Sequence, residues 1–392
     1  MNLNEIIELD SKHFMNTFGA RTPVCFEYGK GIHLYDIEGK MYTDFFAGIA
    51  VNALGHSHPA IVDAITKQAS KFIHCSNLYY IKQQALLAKL LTDVSCADRI
   101  FFSNSGAEAN EGALKLARAY FKKKGQPNKY SFICLEKSFH GRTITTATAT
   151  GQEKYSKPFA PLTPGFKHVP INDFDALSKA VDENTCAILL EPVQGESGVH
   201  PLTKDYVTAV RKLCDEKGIF LIFDEVQTGL GRTGKLFGYQ LFDVEPDIFT
   251  LAKALGAGFP IGAVCAKEEA AKGFEPGDHG TTFGGNPLAC AVALASVTAI
   301  LDEHLSENAA NMGDYLASIL LTLSDKIIEV RHVGLMFAID FKEPIAVTVK
   351  QKLFEKGLLV GNVGTTTLRV LPPLIITKSD INYFICVLME IL

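Results

Sequence analysis

The middle of the chain carries short apolar runs that do not alternate: RIFFS from residue 99, YSFICL from 130, CAILLE from 186, GIFLIFDE from 218, FTLA from 249 and IGAVCA from 261. A strand with one wet face alternates apolar and polar residues, so uninterrupted runs predict a sheet covered on both faces. The stretches at 106–123 and 204–216 are amphipathic and predict helices. Strands and helices in alternation make an α/β fold, here a large domain with a mostly parallel central sheet covered by helices. After Asp302 the pattern changes to a long helix, KIIEVRHVGLMFAIDF, a helix, GLLVGNVG, TLRVLPPLII and a terminal helix. That predicts a smaller α+β C-terminal domain. The expected division is an N-terminal segment at 1–40, packing with the small domain or the large one, a large domain at 41–285, and a small domain at 286–392 that includes the linking helix.

With 392 residues, 47% of them hydrophobic, the chain can bury cores of this size. A net charge of −5 opposes binding to nucleic acid, and the basic run FKKKGQPNK at 121–129 is expected to be an exposed helix end. The nine cysteines form no C-x-x-C pair, which fits reduced thiols in a cytoplasmic protein rather than a disulfide frame or a zinc site. GHSHP at 55–59 has two histidines but no surrounding ligand cluster, so a shaped turn is expected and no metal. MNLNEIIELD has neither the basic nor the apolar region of a signal peptide. The most apolar stretch, 288–301, is short for a membrane span. It follows Asn286 and Pro287, a good N-cap and first helical residue, and is expected to be a core helix rather than a membrane anchor.

Two polar residues stand where apolar runs end. Asp224 closes one and Lys253 follows another. In α/β sheets ligands gather at the carboxyl ends of strands. A lysine there can form a Schiff base, and an aspartate can hold a proton on a pyridine nitrogen. Upstream, FFSNSGAEANEGALKLARAY reads as strand, turn and helix, with Ser105 as N-cap and Glu108 completing a capping box. Ser105, Gly106 and Ala107 then present free N–H groups at a positive helix end, where small side chains admit a phosphate. A capped helix start is common, and a lysine beyond a strand is ordinarily a solvated surface group. The features gain meaning together. TGLGRTG matches G-x-G-x-x-G at Gly229, Gly231 and Gly234, and most of a P-loop through Lys235. Leu236, however, stands where Ser or Thr would hold magnesium, so a glycine-rich surface loop is expected.

Taken whole, the chain resembles the class-III, ω-amino group of pyridoxal-phosphate-dependent aminotransferases, which have the type I fold. GKGIHLYDIEGKMYTDFFAGIAVNALGHSHP, NSGAEANEGALKLAR, FHGRT, EPVQGESGV, LIFDEVQTGLGRTG, AKALGAGFPIGA, GTTFGGNPLACAVA and LRVLPPL occur in the family's order. AGIAVNALGHSHP and the compact length look most like the branch that uses N-acetylornithine in arginine biosynthesis. The resemblance implies pyridoxal 5'-phosphate as cofactor, Lys253 as the Schiff-base lysine and Asp224 as partner of the pyridinium nitrogen. It implies Gln227 near the phenolic oxygen, Phe139 stacked on the ring, and Gly106 and Ala107, beside Ser105, at the phosphate. Thr282 would reach that phosphate from the second subunit of a homodimer. Arg142 and Arg369 would take substrate carboxylates, and Glu196 would pair with Arg369 and gate it.

The reaction so implied is transamination of N2-acetyl-L-ornithine with 2-oxoglutarate, giving N-acetylglutamate 5-semialdehyde and glutamate. Some bacterial enzymes of this type also take succinyl-diaminopimelate, for lysine biosynthesis, and the residues leave that donor open. Ornithine, succinylornithine and 4-aminobutyrate are the other donors in the family. An aminomutase or a non-catalytic cofactor-binding protein would be a reading of another class. Segments 18–21 and 26–28 are expected to help choose the donor.

Overall fold

A computed structural model describes residues 1–392. The central sheet has seven strands: β1 (Arg99–Ser103), β2 (Ser131–Leu135), β3 (Phe166–Val169), β4 (Thr185–Leu190), β5 (Phe220–Asp224), β6 (Ile248–Leu251) and β7 (Gly262–Ala266). Their order is β1-β7-β6-β5-β4-β2-β3. Neighbours pair in parallel except at β7, which runs against both β6 and β1. The sheet is mostly parallel, as expected; a strand buried on both faces reads alike in either direction, so its apolar run could not show the reversal. Strands β2, β4, β5, β6 and β7 are buried at every position, which is why their sequences do not alternate. The sheet-edge strand β3, FKHV, carries an exposed lysine and has no apolar run to announce it.

Helix α1 (Gly106–Lys123) packs on β6 and β7, and α2 (Lys204–Lys217) packs on β5. Gly218 ends α2 in the left-handed region at φ +57°, so β5 starts two residues after the apolar run does. Helix α3 (Pro287–Asp302) is largely buried, and the Asn286 side chain accepts the Ala289 N–H at 2.8 Å. No single helix is long and apolar enough to cross a membrane. His304, at φ +53°, separates α3 from α4 (Leu305–Leu320), the long helix expected beyond Asp302. Strands β8 (Ile327–Val333), β9 (Met336–Phe341), β10 (Gly361–Val363) and β11 (Thr367–Val370) form an antiparallel sheet in the order β8-β9-β11-β10. Near the N-terminus, Phe26–Lys30, His33–Asp36 and Met41–Asp44 form a further sheet whose last strand, Leu358–Leu359, comes from the C-terminal part.

The glycine-rich run after β5 is not a surface loop. Residues 227–233 are buried beneath the C-terminal elements. A Cβ added at Gly231 would lie 2.9 Å from Leu374, and one at Gly234 would lie 3.0 Å from Ala310. The glycines serve close packing here, which local composition cannot distinguish from a solvated turn.

Candidate active site

The carboxyl ends of β1, β2, β4, β5 and β6 open on a cavity of about 390 Å³. Asn104, Ser105, Gly106 and Ala107 line it after β1; Phe139, His140 and Arg142 after β2; Glu191 and Glu196 after β4; Asp224 and Gln227 at β5; and Lys253 after β6. Because β7 runs backwards, its entry residues Phe259, Pro260 and Ile261 complete the same wall. Arg369 on β11 meets Glu196 and Gln227 at the edge. Thr282 is exposed and lies outside this cavity. Phe18, Arg21, Phe26 and Tyr28 also lie outside this cavity. Arg21 instead binds Asp10 at 2.7 Å and stacks on Phe14 and Phe18.

Asp224 is buried, and its carboxylate is fixed from three directions. Oδ2 accepts from Asn110 Nδ2 at 2.7 Å and lies 2.8 Å from His140 Nδ1, while Oδ1 accepts the Val226 N–H at 3.0 Å. The Asn110 oxygen accepts from the Thr250 hydroxyl at 2.8 Å. Burial pulls the His140 imidazole down, but the hydrogen bond and charge of Asp224 outweigh it and raise it above its ordinary value. Asn110 and His140 are absent from the sequence reading. Asn110 left one sign, a polar residue on the alanine-rich buried face of α1.

Lys253 opens a short 3-10 turn, Lys253–Leu255, at φ +44°, a region that residues with a Cβ seldom adopt. Backbone strain of this kind persists where the surroundings over-determine it, often at functional sites. Burial pulls the Lys253 amine down to about 8, against the opposing field of Glu196. Glu191 accepts the Phe139 N–H at 2.9 Å, and burial holds its carboxyl well above the usual carboxylate range.

At the start of α1, Ser105 Oγ accepts the Glu108 N–H at 3.1 Å, but the expected capping box is only half made. Glu108 Oε2 accepts from the Asn104 N–H at 2.7 Å and Asn104 Nδ2 at 2.8 Å instead of returning to Ser105. The first N–H groups of the helix therefore remain available to an anion.

Arg369 is 3% exposed. Its Nη2 donates to Glu196 Oε1 at 3.0 Å and to Gln227 Oε1 at 2.8 Å, and Gln227 Nε2 donates to Glu196 Oε1 at 3.3 Å. Gln227 thus lines the cavity while its amide engages the ion pair. Burial pushes Glu196 up, but the charge and hydrogen bond of Arg369 override it and hold it below the usual carboxylate range. Arg142 is exposed at the rim, its guanidinium carbon 4.0 Å from the centre of the Tyr155 ring and 5.7 Å from that of Phe139, and it pairs with no carboxylate. The mouth therefore holds one free guanidinium and one latched by a carboxylate.

The model of the class-III aminotransferase family matches residues 15–392. The chain belongs to the class-III aminotransferases. The acetylornithine aminotransferase of Caldanaerobacter subterraneus subsp. tengcongensis is 50% identical to this aminotransferase over 390 residues, covering 99% of each chain. That of Methanocaldococcus jannaschii is 51% identical over 394 residues, covering 100% of this chain and 98% of its own. The solved ornithine aminotransferase of Toxoplasma gondii superposes with a TM-score of 0.95 at 33% identity, covering 100% of this chain and 94% of its own. The acetylornithine aminotransferase of Elizabethkingia anophelis does so with a TM-score of 0.88 at 36% identity, covering 100% and 98%. A second Toxoplasma structure, crystallised with oxidized glutathione, shows partial occupancy of PLP at its active site. The mixed sheet with its covering helices is the type I fold of these pyridoxal-phosphate-dependent enzymes.

Proposed function

We propose that this aminotransferase moves the terminal amino group of N2-acetyl-L-ornithine to 2-oxoglutarate, forming N-acetylglutamate 5-semialdehyde and glutamate. The observation that carries the reading is the latched arginine: Arg369 Nη2 stands 3.0 Å from Glu196 Oε1, while Arg142 is unpaired. An ω-amino donor brings one carboxylate, which Arg142 takes, and points its amine at Lys253 while Glu196 occupies Arg369. 2-Oxoglutarate brings two carboxylates, so it needs Arg369 released as well. The planar fork of arginine suits both tasks.

The cavity fits pyridoxal 5'-phosphate. Val226 would stand 2.8 Å from a Cβ at Gly106, so the helix start is kept bare, and Ser105, Gly106 and Ala107 offer a phosphate their N–H groups. Asp224 would face the ring nitrogen, Phe139 a ring face, Gln227 the phenolic oxygen and Lys253 the aldehyde. When bound, this cofactor supplies an aldehyde that condenses with amines and a ring that withdraws electrons. Asn110 and His140 hold Asp224 in one orientation. Lys253 takes the proton from the amino-bearing carbon of the donor and, in the second half-reaction, delivers one to the 2-carbon of the acceptor, and an amine near 8 can do both close to neutrality.

The working molecule in this reading is a cytoplasmic homodimer. The exposed Thr282 reaches the partner's phosphate site, and the exposed Leu78, Tyr79, Tyr80 and Phe283 supply apolar contact. The large domain at 41–285 holds the cofactor, and the small domain at 286–392, with segment 1–40 against it, brings Arg369. The test is a donor panel with 2-oxoglutarate, comparing kcat/KM for acetylornithine, ornithine, succinyl-diaminopimelate and 4-aminobutyrate. Acetylornithine is expected to lead and glutamate to accumulate. A lead for ornithine or 4-aminobutyrate overturns the donor, and rearranged donor without glutamate points to an aminomutase.

A further inference from the structure

We infer that Arg232 is a positioning residue for substrate: it sets the strand carrying Arg369 at the register where that guanidinium meets Glu196 and Gln227. This deepens the proposed function and rests on it. Arg232 belongs to TGLGRTG, the glycine-rich run after β5, and is only 2% exposed. Its Nη1 donates to the Leu335 carbonyl at 3.1 Å and to the Pro372 carbonyl at 2.5 Å. Its own carbonyl accepts the Leu335 N–H at 3.0 Å. Leu335 leads into β9, and Pro372 lies just past Arg369 on the β11 segment. One side chain thus ties two strands of the small sheet to the loop that presents Gln227.

The surroundings admit little slack. A Cβ at Gly334 would lie 2.4 Å from the Thr233 carbonyl carbon and 2.6 Å from the Arg232 oxygen. On its far side, the same segment donates from Leu371 to Phe45 at 2.8 Å and from Leu374 to Ala53 at 2.7 Å. No carboxylate contacts Arg232, and its Nη2 is unpartnered. The charge of Asp44 reaches it without contact, and desolvation offsets much of what the carbonyl hydrogen bonds contribute to stability. What it contributes is direction. Arg369 is itself buried, so backbone register rather than free rotation decides where its donors point.

The test uses the holoenzyme as Arg232→Met and Arg232→Lys variants. Each half-reaction is followed separately by cofactor absorbance, with acetylornithine and then with 2-oxoglutarate, and glutarate binding is measured by calorimetry. For Arg232→Met, the KM for 2-oxoglutarate and the Kd for glutarate should each rise about tenfold, since small misplacements of a binding group cost factors of this size or more. The acetylornithine half-reaction should stay within about twofold. Arg232→Lys, whose ammonium can still donate to carbonyls, should recover part of the loss and carries the comparison if the Met variant does not fold. Equal losses in both half-reactions, no change in either, or a Lys variant no better than Met would overturn the inference. A wild type that ignores acetylornithine would instead refute the donor assignment, and glutarate binding would still decide the role of Arg232.

Discussion

Replacing Glu196 with glutamine should shift this enzyme from terminal amines toward α-amino acids. Glu196 Oε1 accepts from Arg369 Nη2 at 3.0 Å and from Gln227 Nε2 at 3.3 Å. Glutamine keeps an acceptor oxygen and loses the charge. Arg369 keeps its charge, so its bond to glutamine stays charge-assisted and only the attraction between the two charges is lost; between the limits for exposed pairs (about 0.2–1 kcal/mol) and buried ones (about 3–5 kcal/mol), the latch weakens by about 1–2 kcal/mol. The Glu196 side chain is 25% exposed against 4% for Arg369, and solvent screening favours the lower end of that range. At about 1.4 kcal/mol per factor of ten, Arg369 becomes free about five- to thirtyfold more often. Glutamate and 2-oxoglutarate need it free, and acetylornithine does not. Stopped-flow half-reactions with glutamate and with acetylornithine give the readout. The ratio of their kcat/KM values should move toward glutamate by about tenfold. A ratio that stays put, or moves toward acetylornithine, would refute the latch.

Two further outcomes follow from the buried groups. Asn110→Ala removes the donor 2.7 Å from Asp224 and orphans the Thr250 hydroxyl, so it should cost about 1–3 kcal/mol in denaturant unfolding and lower turnover; unchanged stability and rate would show that Asp224 needs no such support. Lys253 is lowered to about 8, so its reactive neutral amine is half formed near that pH and nearly complete about one unit above it. The rate at which apoprotein captures pyridoxal phosphate should rise with pH and level off there, and a climb continuing toward the ordinary lysine range would contradict the burial argument.

The strands were legible where burial on both faces removed alternation, as at Phe220–Asp224 and Ile248–Leu251. Phe166–Val169, partly exposed at the sheet edge, left no such trace. The glycine-rich run was misread because its burial depends on partners far away, with Arg232 binding carbonyls 103 and 140 positions along the chain. Within the site, Lys253, Asp224 and the start of α1 carried local signals: strand ends and a capped helix. Phe139, Arg142, Glu196, Gln227, Thr282 and Arg369 came only from resemblance to a family, since a lone arginine or glutamate has no local mark of its task. His140 and Asn110 escaped both routes. Their meaning lies in the contact with Asp224, which exists only once α1 and the β2 and β5 ends meet.

Everything proposed for this site requires a covalent bond between Lys253 and the cofactor. Borohydride reduction of the holoenzyme, followed by peptide mass mapping, tests it directly. The pyridoxyl group should be found on the peptide containing Lys253 and be absent from a Lys253→Ala variant. A label on another lysine, or an active enzyme in which Lys253 stays unmodified, would contradict it.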